Sequence, residues 1–137
     1  MGAVFDSLIA GMPVMVTHFL AAIGILVAGI AVYNAVTPFH ELKLIRAGNA
    51  AAGVSAAGAT LGLALPIAGA LLGSVNLYDL LVWGAVALVI QLLTFAVVAL
   101  IIRRLVESIA RGEMAPALLL AGVQISVGLI NAAAIRG

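Results

Sequence analysis

The stretch LLVWGAVALVIQLLTFAVVALII, residues 80–102, decides the fold class of this chain. It contains no Lys, Arg, Asp or Glu, and a helix needs about 20 apolar residues to cross the hydrocarbon core of a bilayer. Three other stretches share this character, at about 14–36, 50–72 and 114–135. Such continuous runs favour helices, because the strands of a membrane barrel alternate in polarity over about 10 residues. The sequence therefore predicts an all-α integral membrane protein with four transmembrane helices.

The overall composition supports this class and excludes others. Of 137 residues, 66% are hydrophobic and 8% are charged, whereas about 25% of the residues in soluble domains are charged. The absence of cysteine excludes disulfides, thiolate metal sites and cysteine nucleophiles. A formal net charge of +1 gives no field that would recruit nucleic acid. We therefore expect a single membrane domain over residues 1–137 whose partners are the lipid bilayer and other membrane proteins.

The first 12 residues lack the basic segment that opens a secretory signal peptide, so we expect the first helix to be retained. Pro13 suits the first turn of a helix. Residues 3–11 are then either a short interfacial turn or an extension of the first helix.

The basic residues predict the orientation of the spans. Five of the six lie in the loops after the first and third predicted helices: Lys43, Arg46, Arg103, Arg104 and Arg111. The opposite side carries Asp6, Asp79 and one cation, Arg136. The positive-inside rule places the two basic loops in the cytoplasm and both termini in the periplasm. Tyr33 and Trp83, near span ends, fit aromatic belts at the two interfaces.

A displacement of 64 residues aligns the first predicted hairpin with the second. Eight of 30 pairs are identical between 41–70 and 105–134, including Gly48 with Gly112 and Gly58 with Gly122. The alignment predicts two tandem hairpins, at about 14–72 and about 80–135. Because each unit holds two spans, both units cross the membrane in the same sense, which makes this a parallel repeat and not the inverted kind found in many secondary transporters.

Small residues at helical spacing predict close packing of the second and fourth spans. Gly58 and Gly62 form a GxxxG motif that the displacement aligns with Gly122 and Ser126; such motifs let helix backbones approach closely. The small residues expected to pack are Gly53, Ala57, Gly58, Gly62, Ala117, Ala121, Gly122 and Ser126. Contacts within the chain are favoured over an oligomer contact, and both over a ligand groove.

A few polar side chains fall within the predicted spans. Thr60, Gln91, Gln124 and Asn131 either form hydrogen bonds between helices or line a polar cavity for a small solute. His18 stands alone, so we favour an interfacial or hydrogen-bonded histidine over a proton or metal site. A haem with two histidine ligands is not expected, because His40 lies on the opposite side. No cofactor or metal is expected.

The two basic loops carry the remaining charged groups. Asn49 is expected to cap the second span, and residues 41–46 to form a short amphipathic turn on the lipid headgroups. The candidate loop contacts to lipid or protein are Glu41, Lys43, Arg46, Arg103, Arg104, Arg111 and Glu113. Glu41 and Glu113 could form an acid/base pair, but no nucleophile or metal cluster accompanies them. We therefore do not expect an enzyme.

Three segments carry a family resemblance: TPFHELKLIRAGNAAA, LGLALPIAGALLGSVNLYDLLVWGAVALVIQLL and IARGEMAPALLLAGVQISVGLINAAAI. Over about residues 6–135 the chain resembles the YjfL-like family of small bacterial inner-membrane proteins, a domain of unknown function. The resemblance implies an inner-membrane location and a four-helix protein built as two tandem hairpins. It implies no activity, substrate or catalytic residue.

Two classes of function follow. The first is a non-enzymatic membrane protein that acts through helix contacts, as a homo-oligomer or as an accessory subunit of a larger complex. The alternative is a channel or transporter for an ion or small polar solute, with the four polar span residues lining the route.

Overall fold

The structure, a computed structural model, describes residues 1–38, 41–73 and 76–136. These ranges form six helices and no strand: α1 (Gly2–Val36), α2 (Glu41–Arg46), α3 (Ala50–Gly73), α4 (Leu77–Ile101), α5 (Leu105–Ala110) and α6 (Met114–Arg136). Four of them, α1, α3, α4 and α6, are long and apolar enough to cross a membrane. The predicted all-α class is therefore confirmed, with four candidate membrane-spanning helices. His40, in the first basic loop, lies outside the described residues.

The first span is longer than predicted. α1 begins at Gly2 and runs for 35 residues, so Pro13 lies inside the helix and residues 3–11 extend it. The helix is about 52 Å long at 1.5 Å per residue, whereas the hydrocarbon core is about 30 Å thick. Almost every residue before His18 is exposed, so roughly the first half of α1 leaves the bundle.

The two basic loops, which follow α1 and α4, each contain a short helix, and these two helices end in the same way. α2 and α5 each span six residues, 64 positions apart. Each is followed by a glycine in the left-handed region, Gly48 at φ 89° and Gly112 at φ 83°. The amide of each glycine donates to a carbonyl of the preceding helix, that of Ile45 or Ile109, at 2.9 Å. A side chain is disfavoured at these φ values, so glycine permits both turns.

Asn49 joins the two connections. Its Oδ1 accepts from the Ala52 amide at 3.0 Å, which is the predicted N-cap of α3. Its Nδ2 donates to the carbonyls of Ile109 at 3.0 Å and Ala110 at 3.1 Å, at the end of α5. One side chain therefore satisfies backbone groups at the start of α3 and at the end of α5.

α3 and α6 form the most closely packed pair of helices. Gly58 lies against Ala121, Gly62 against Gln124, and Gly69 against Ala132. These pairings advance in the same direction along both helices, so α3 and α6 run parallel. α4 lies against both, and α1 packs on α3 and α4.

Half of the small residues expected to pack lie at this contact. Gly58 and Gly62 contribute from α3, while Ala117 and Ala121 are buried on α6. The other four do not lie in it. Ala57, Gly122 and Ser126 are exposed, and the space around Gly53 is open. The alignment of the two hairpins therefore gave a wrong prediction for Gly122 and Ser126 of α6. α3 and α6 contact each other through faces that are not equivalent under this alignment.

Gly58 and Gly122, which the displacement aligns, give a matched test of this packing. We expect Gly58→Ala to destabilise the protein by about 1–3 kcal/mol, because the added methyl would lie 2.6 Å from the Ala121 Cβ. Gly122→Ala should leave stability nearly unchanged, since nothing lies within 4 Å of its added methyl. Thermal unfolding in mild detergent measures both variants. Equal stability losses would contradict the packing described.

Candidate functional site

Polar side chains are buried in two groups within the bundle. The first group links Tyr33 of α1, Gln124 of α6 and Gln91 of α4. The second lies around Glu41 of α2, beside a cavity. Across the described residues the buried polar side chains are Thr37, Glu41, Ser55, Gln91, Thr94, Ser108, Gln124 and Asn131.

The first group holds four helices together. The Gln124 Nε2 donates to the Tyr33 hydroxyl at 2.6 Å, and the Tyr33 ring meets the Phe95 ring edge to face at 6.2 Å. The Gln91 Nε2 donates to the carbonyls of Gly62 at 3.0 Å and Gln124 at 3.1 Å. Both glutamines are fully buried. These bonds connect α1, α3, α4 and α6.

Pro66 explains why Gln91 reaches the Gly62 carbonyl. Proline has no backbone N–H, so inside a helix it leaves the carbonyl four residues earlier without its usual donor. Pro66 lies inside α3, and the carbonyl it deprives is that of Gly62. In hydrocarbon such a group needs a partner from elsewhere in the protein. The Gln91 amide supplies that partner.

The four polar span residues do not line one cavity. Gln91 and Gln124 meet in a filled space, where a methyl added at Gly62 would lie 2.7 Å from the Gln91 Nε2. Thr60 lines the separate cavity beside Glu41, and its hydroxyl donates to the Ala56 carbonyl at 2.8 Å. Asn131 is buried two turns beyond Gln124 on α6. The structure thus places the two glutamines in hydrogen bonds between helices.

Tyr33 is a site residue that the sequence interpretation missed. The expectation of an interfacial aromatic is wrong, because Tyr33 is 1% exposed and lies inside the bundle. Its carbonyl accepts from both the amide and the hydroxyl of Thr37, at 2.9 and 2.7 Å, where α1 ends. No local sequence signal marks Tyr33, because its side-chain partners Phe95 and Gln124 lie on α4 and α6.

The second group is centred on Glu41, the first residue of α2. The carboxyl group is buried, and the residue is 5% exposed. The Ser55 hydroxyl of α3 donates to its Oε1 at 3.4 Å, a long hydrogen bond. The ion pairs found among the described residues, Arg104 with Glu107 and Arg111 with Glu113, do not involve Glu41.

A cavity of about 150 Å³ lies beside Glu41. Its polar wall includes Glu41, Tyr33, Asn34 and Thr60, and its apolar wall includes Ile30, Leu42 and Ile45. It is bounded by α1, α2 and α3, at the end of the bundle that carries the basic connections.

The orientation of α2 differs from the amphipathic turn that was expected. Glu41 points into the protein while its neighbour Leu42 is 60% exposed. Leu44 packs against the core, and Lys43 and Arg46 are exposed. Residues 41–46 do form a short helix with Lys43 and Arg46 exposed, but Glu41 lies inside the protein, where its carboxyl group accepts from the Ser55 hydroxyl.

Burial changes the acidity of this carboxyl group. Removal from water disfavours the charged form and raises the pKa of Glu41 from 4.5 to about 7, while the hydrogen bond from Ser55 partly opposes the change. Near neutral pH the group therefore exists in both protonation states.

The remaining candidate residues have local partners. Arg103 is exposed, Arg104 lies 3.6 Å from Glu107, and Glu113 pairs with Arg111 at 3.2 Å and not with Glu41. The His18 Nδ1 lies 2.8 Å from the Val14 carbonyl, as a hydrogen-bonded histidine would. Within the described ranges no group of three His, Asp or Glu residues could hold a metal ion.

Comparison with known proteins assigns the family. The family model described as Domain of Unknown Function (DUF350) matches residues 7–135. The chain belongs to this family. The UPF0719 inner membrane protein YjfL of Escherichia coli (strain K12) is 32% identical over 130 residues, which cover 95% of this chain and 96% of that protein. YjfL of Escherichia coli O157:H7 matches equally. No solved structure matches. The YjfL-like resemblance is confirmed.

The sequence pieces that carried the resemblance to the DUF350 family include the residues that shape the site. Glu41 closes the cavity, Gly48 makes the left-handed turn, and Asn49 ties α3 to α5. The curated relatives are inner membrane proteins, and this chain has four helices able to cross a membrane.

The pKa of Glu41 predicts how stability changes with pH. Because the folded state keeps a proton that the unfolded state releases above pH 4.5, the free energy of unfolding should fall as pH rises from 4.5 to 7. Glu41→Gln removes this dependence and should stabilise the protein at pH 8 by up to about 3 kcal/mol. Thermal unfolding in detergent at pH 5 to 8 measures the effect.

Glu107→Gln is the control, because Glu107 is exposed on the adjacent connection. It should keep the wild-type pH dependence. A Glu41→Gln variant that loses stability with rising pH as steeply as the wild type would show that Glu41 is not the group responsible.

Proposed function

We propose that this chain is a non-enzymatic inner membrane protein that acts through helix contacts, as a homo-oligomer or as an accessory subunit of a membrane complex. The observation that carries the proposal is the first half of α1. Residues 2–17 are helical and exposed throughout, and none of the six described helices covers them. They form the main surface by which the protein can reach another helix.

The length of α1 supports a partner for this segment. α3, α4 and α6 have 23 to 25 residues, or about 35–38 Å each, against about 52 Å for α1. The helix therefore projects past the bundle with large side chains such as Phe5 and Ile9 uncovered, at 58% and 69% exposure. Contiguous exposed apolar side chains mark a membrane or protein interaction surface.

The side chains of residues 2–12 separate into two faces. Residues three and four apart share a helix face, so the large apolar residues form one side: Val4, Phe5, Leu8, Ile9 and Met12. The opposite side carries small or polar residues: Gly2, Ala3, Asp6, Ser7, Ala10 and Gly11. Small residues in a membrane helix allow a second helix to approach closely. The large side chains then face lipid and the small face meets the partner.

A channel or transporter for an ion or small polar solute is the second candidate. The cavity beside Glu41 favours it, because the cavity carries four polar side chains. The filled space around Gln91 and Gln124 favours helix contacts instead, since it leaves no room for a solute between the two glutamines.

In the proposed topology, the chain forms two tandem hairpins with both termini in the periplasm and the two basic loops in the cytoplasm. Three features support the repeat. α2 and α5 have the same length, Gly48 and Gly112 form equivalent turns after them, and α3 and α6 run parallel. The exposed Lys43, Arg46 and Arg103 support the orientation, because basic residues favour the cytoplasmic side.

The orientation can be read from cysteine labelling, since the chain contains no cysteine of its own. In intact cells with a permeable outer membrane, Asp79→Cys should react with a membrane-impermeant maleimide. Lys43→Cys should react only after the cells are lysed. The reverse pattern would invert the proposed topology.

The assembly surface can be tested by photo-crosslinking in native membranes. A benzoylphenylalanine at Ser7, on the small face of α1, should capture a protein: a second 13.8 kDa copy for a homo-oligomer, or a different subunit. The same probe at Val89, an exposed position within the α4 span, is the control and should capture lipid. Lipid adducts alone at Ser7 would argue against the proposal.

A further inference from the structure

We propose that the cavity beside Glu41 binds a primary ammonium group, carried either by an ethanolamine lipid headgroup or by a small free alkylamine. The site does not depend on the assembly proposed above. It rests on a buried carboxyl group that has no cationic partner among the described residues, on the acceptor-bearing side chains around the cavity, and on the apolar residues that line it.

The carboxyl group provides the charge. Glu41 is 5% exposed, borders the cavity, and has no cationic partner among the described residues. A buried carboxylate without a partner is costly, so it either binds a proton or pairs with a cation. The single long bond from Ser55 leaves most of its acceptor capacity unused.

The other polar groups match the geometry of an ammonium ion. A primary ammonium group has three N–H donors and no acceptor. Besides Glu41, the residues that line the cavity include Asn34 and Thr60, whose side chains each carry an oxygen acceptor, and Tyr33, whose hydroxyl already accepts from Gln124. Glu41, Asn34 and Thr60 thus supply one acceptor-bearing side chain for each of the three donors.

The apolar wall selects an organic cation over a bare metal ion. Ile30, Leu42 and Ile45 form one side of the cavity and can contact the carbon atoms next to the nitrogen. Hard metal ions prefer about six oxygen ligands, which this mostly apolar lining does not provide. The volume of about 150 Å³ corresponds to roughly five water molecules, enough for an ethylammonium group.

Binding would be linked to a proton. Among the described residues, the polar groups that line the cavity with Glu41 are neutral, namely Tyr33 and Asn34 from α1 and Thr60 from α3, as is its partner Ser55. Lys43 and Arg46, on its own helix, are exposed. With a pKa of about 7, Glu41 is partly protonated when the cavity is empty. An ammonium ion favours the carboxylate, so affinity should rise as pH increases from 6 to 8.

Two binding measurements on the purified full chain distinguish a free alkylamine from a lipid headgroup as the source of the ammonium group. Ethylamine is titrated calorimetrically against protein in detergent, with KCl in a parallel titration. Lipid retention is measured by native mass spectrometry after exchange from nanodiscs of phosphatidylethanolamine or phosphatidylcholine, because the choline nitrogen has no N–H donor. We expect ethylamine binding, selective retention of phosphatidylethanolamine, or both.

Glu41→Gln should weaken either interaction by roughly tenfold or more, since it removes the charge that assists the hydrogen bonds. Thr60→Val, which removes one acceptor at an accessible wall, should weaken it less. Glu107→Gln should have no effect, and the thermal unfolding of each variant shows that it is folded. Retention of both lipids alike without ethylamine binding, equal responses to KCl and ethylamine, or unchanged binding in Glu41→Gln would overturn the proposal.

Discussion

The close approach of α3 to α6 is the constraint on which the rest of this bundle depends. In hydrocarbon the helices gain little from hiding apolar surface, so van der Waals contact and hydrogen bonds must hold them together. Gly58, Gly62 and Gly69 remove the side chains that would keep the two backbones apart. α4 and α1 then pack on this pair, and the position of every polar group in the interior follows from that arrangement.

Buried amides add specificity to the packing. The Gln91 amide reaches carbonyls on both α3 and α6, and Gln124 reaches the Tyr33 hydroxyl on α1. Outside the spans, Asn49 performs a similar task between α3 and α5. Each such bond between helices contributes about 0.6–2 kcal/mol. Their directionality fixes which residues face each other, which contacts among leucines and alanines alone would not.

Sequence reasoning succeeded where the signal is local. The spans follow from hydropathy over about 20 residues, and the Asn49 cap follows from its position before an apolar run. It failed where a neighbouring helix decides the outcome. Gly122 and Ser126 have the spacing of a packing motif, yet α6 turns Ala121 and Gln124 toward α3. The sequence suggested that Glu41 is a surface charge, because its partner Ser55 lies 14 positions away on another helix.

One turn of α3 combines a glycine, a proline and a borrowed hydrogen bond. Gly62 and Pro66 both weaken a helix locally, and the Gln91 amide substitutes for the missing backbone donor. The hydrogen bonding of this turn therefore depends on a different helix. A displacement of α4 at this depth would leave the Gly62 carbonyl without the donor that Gln91 provides.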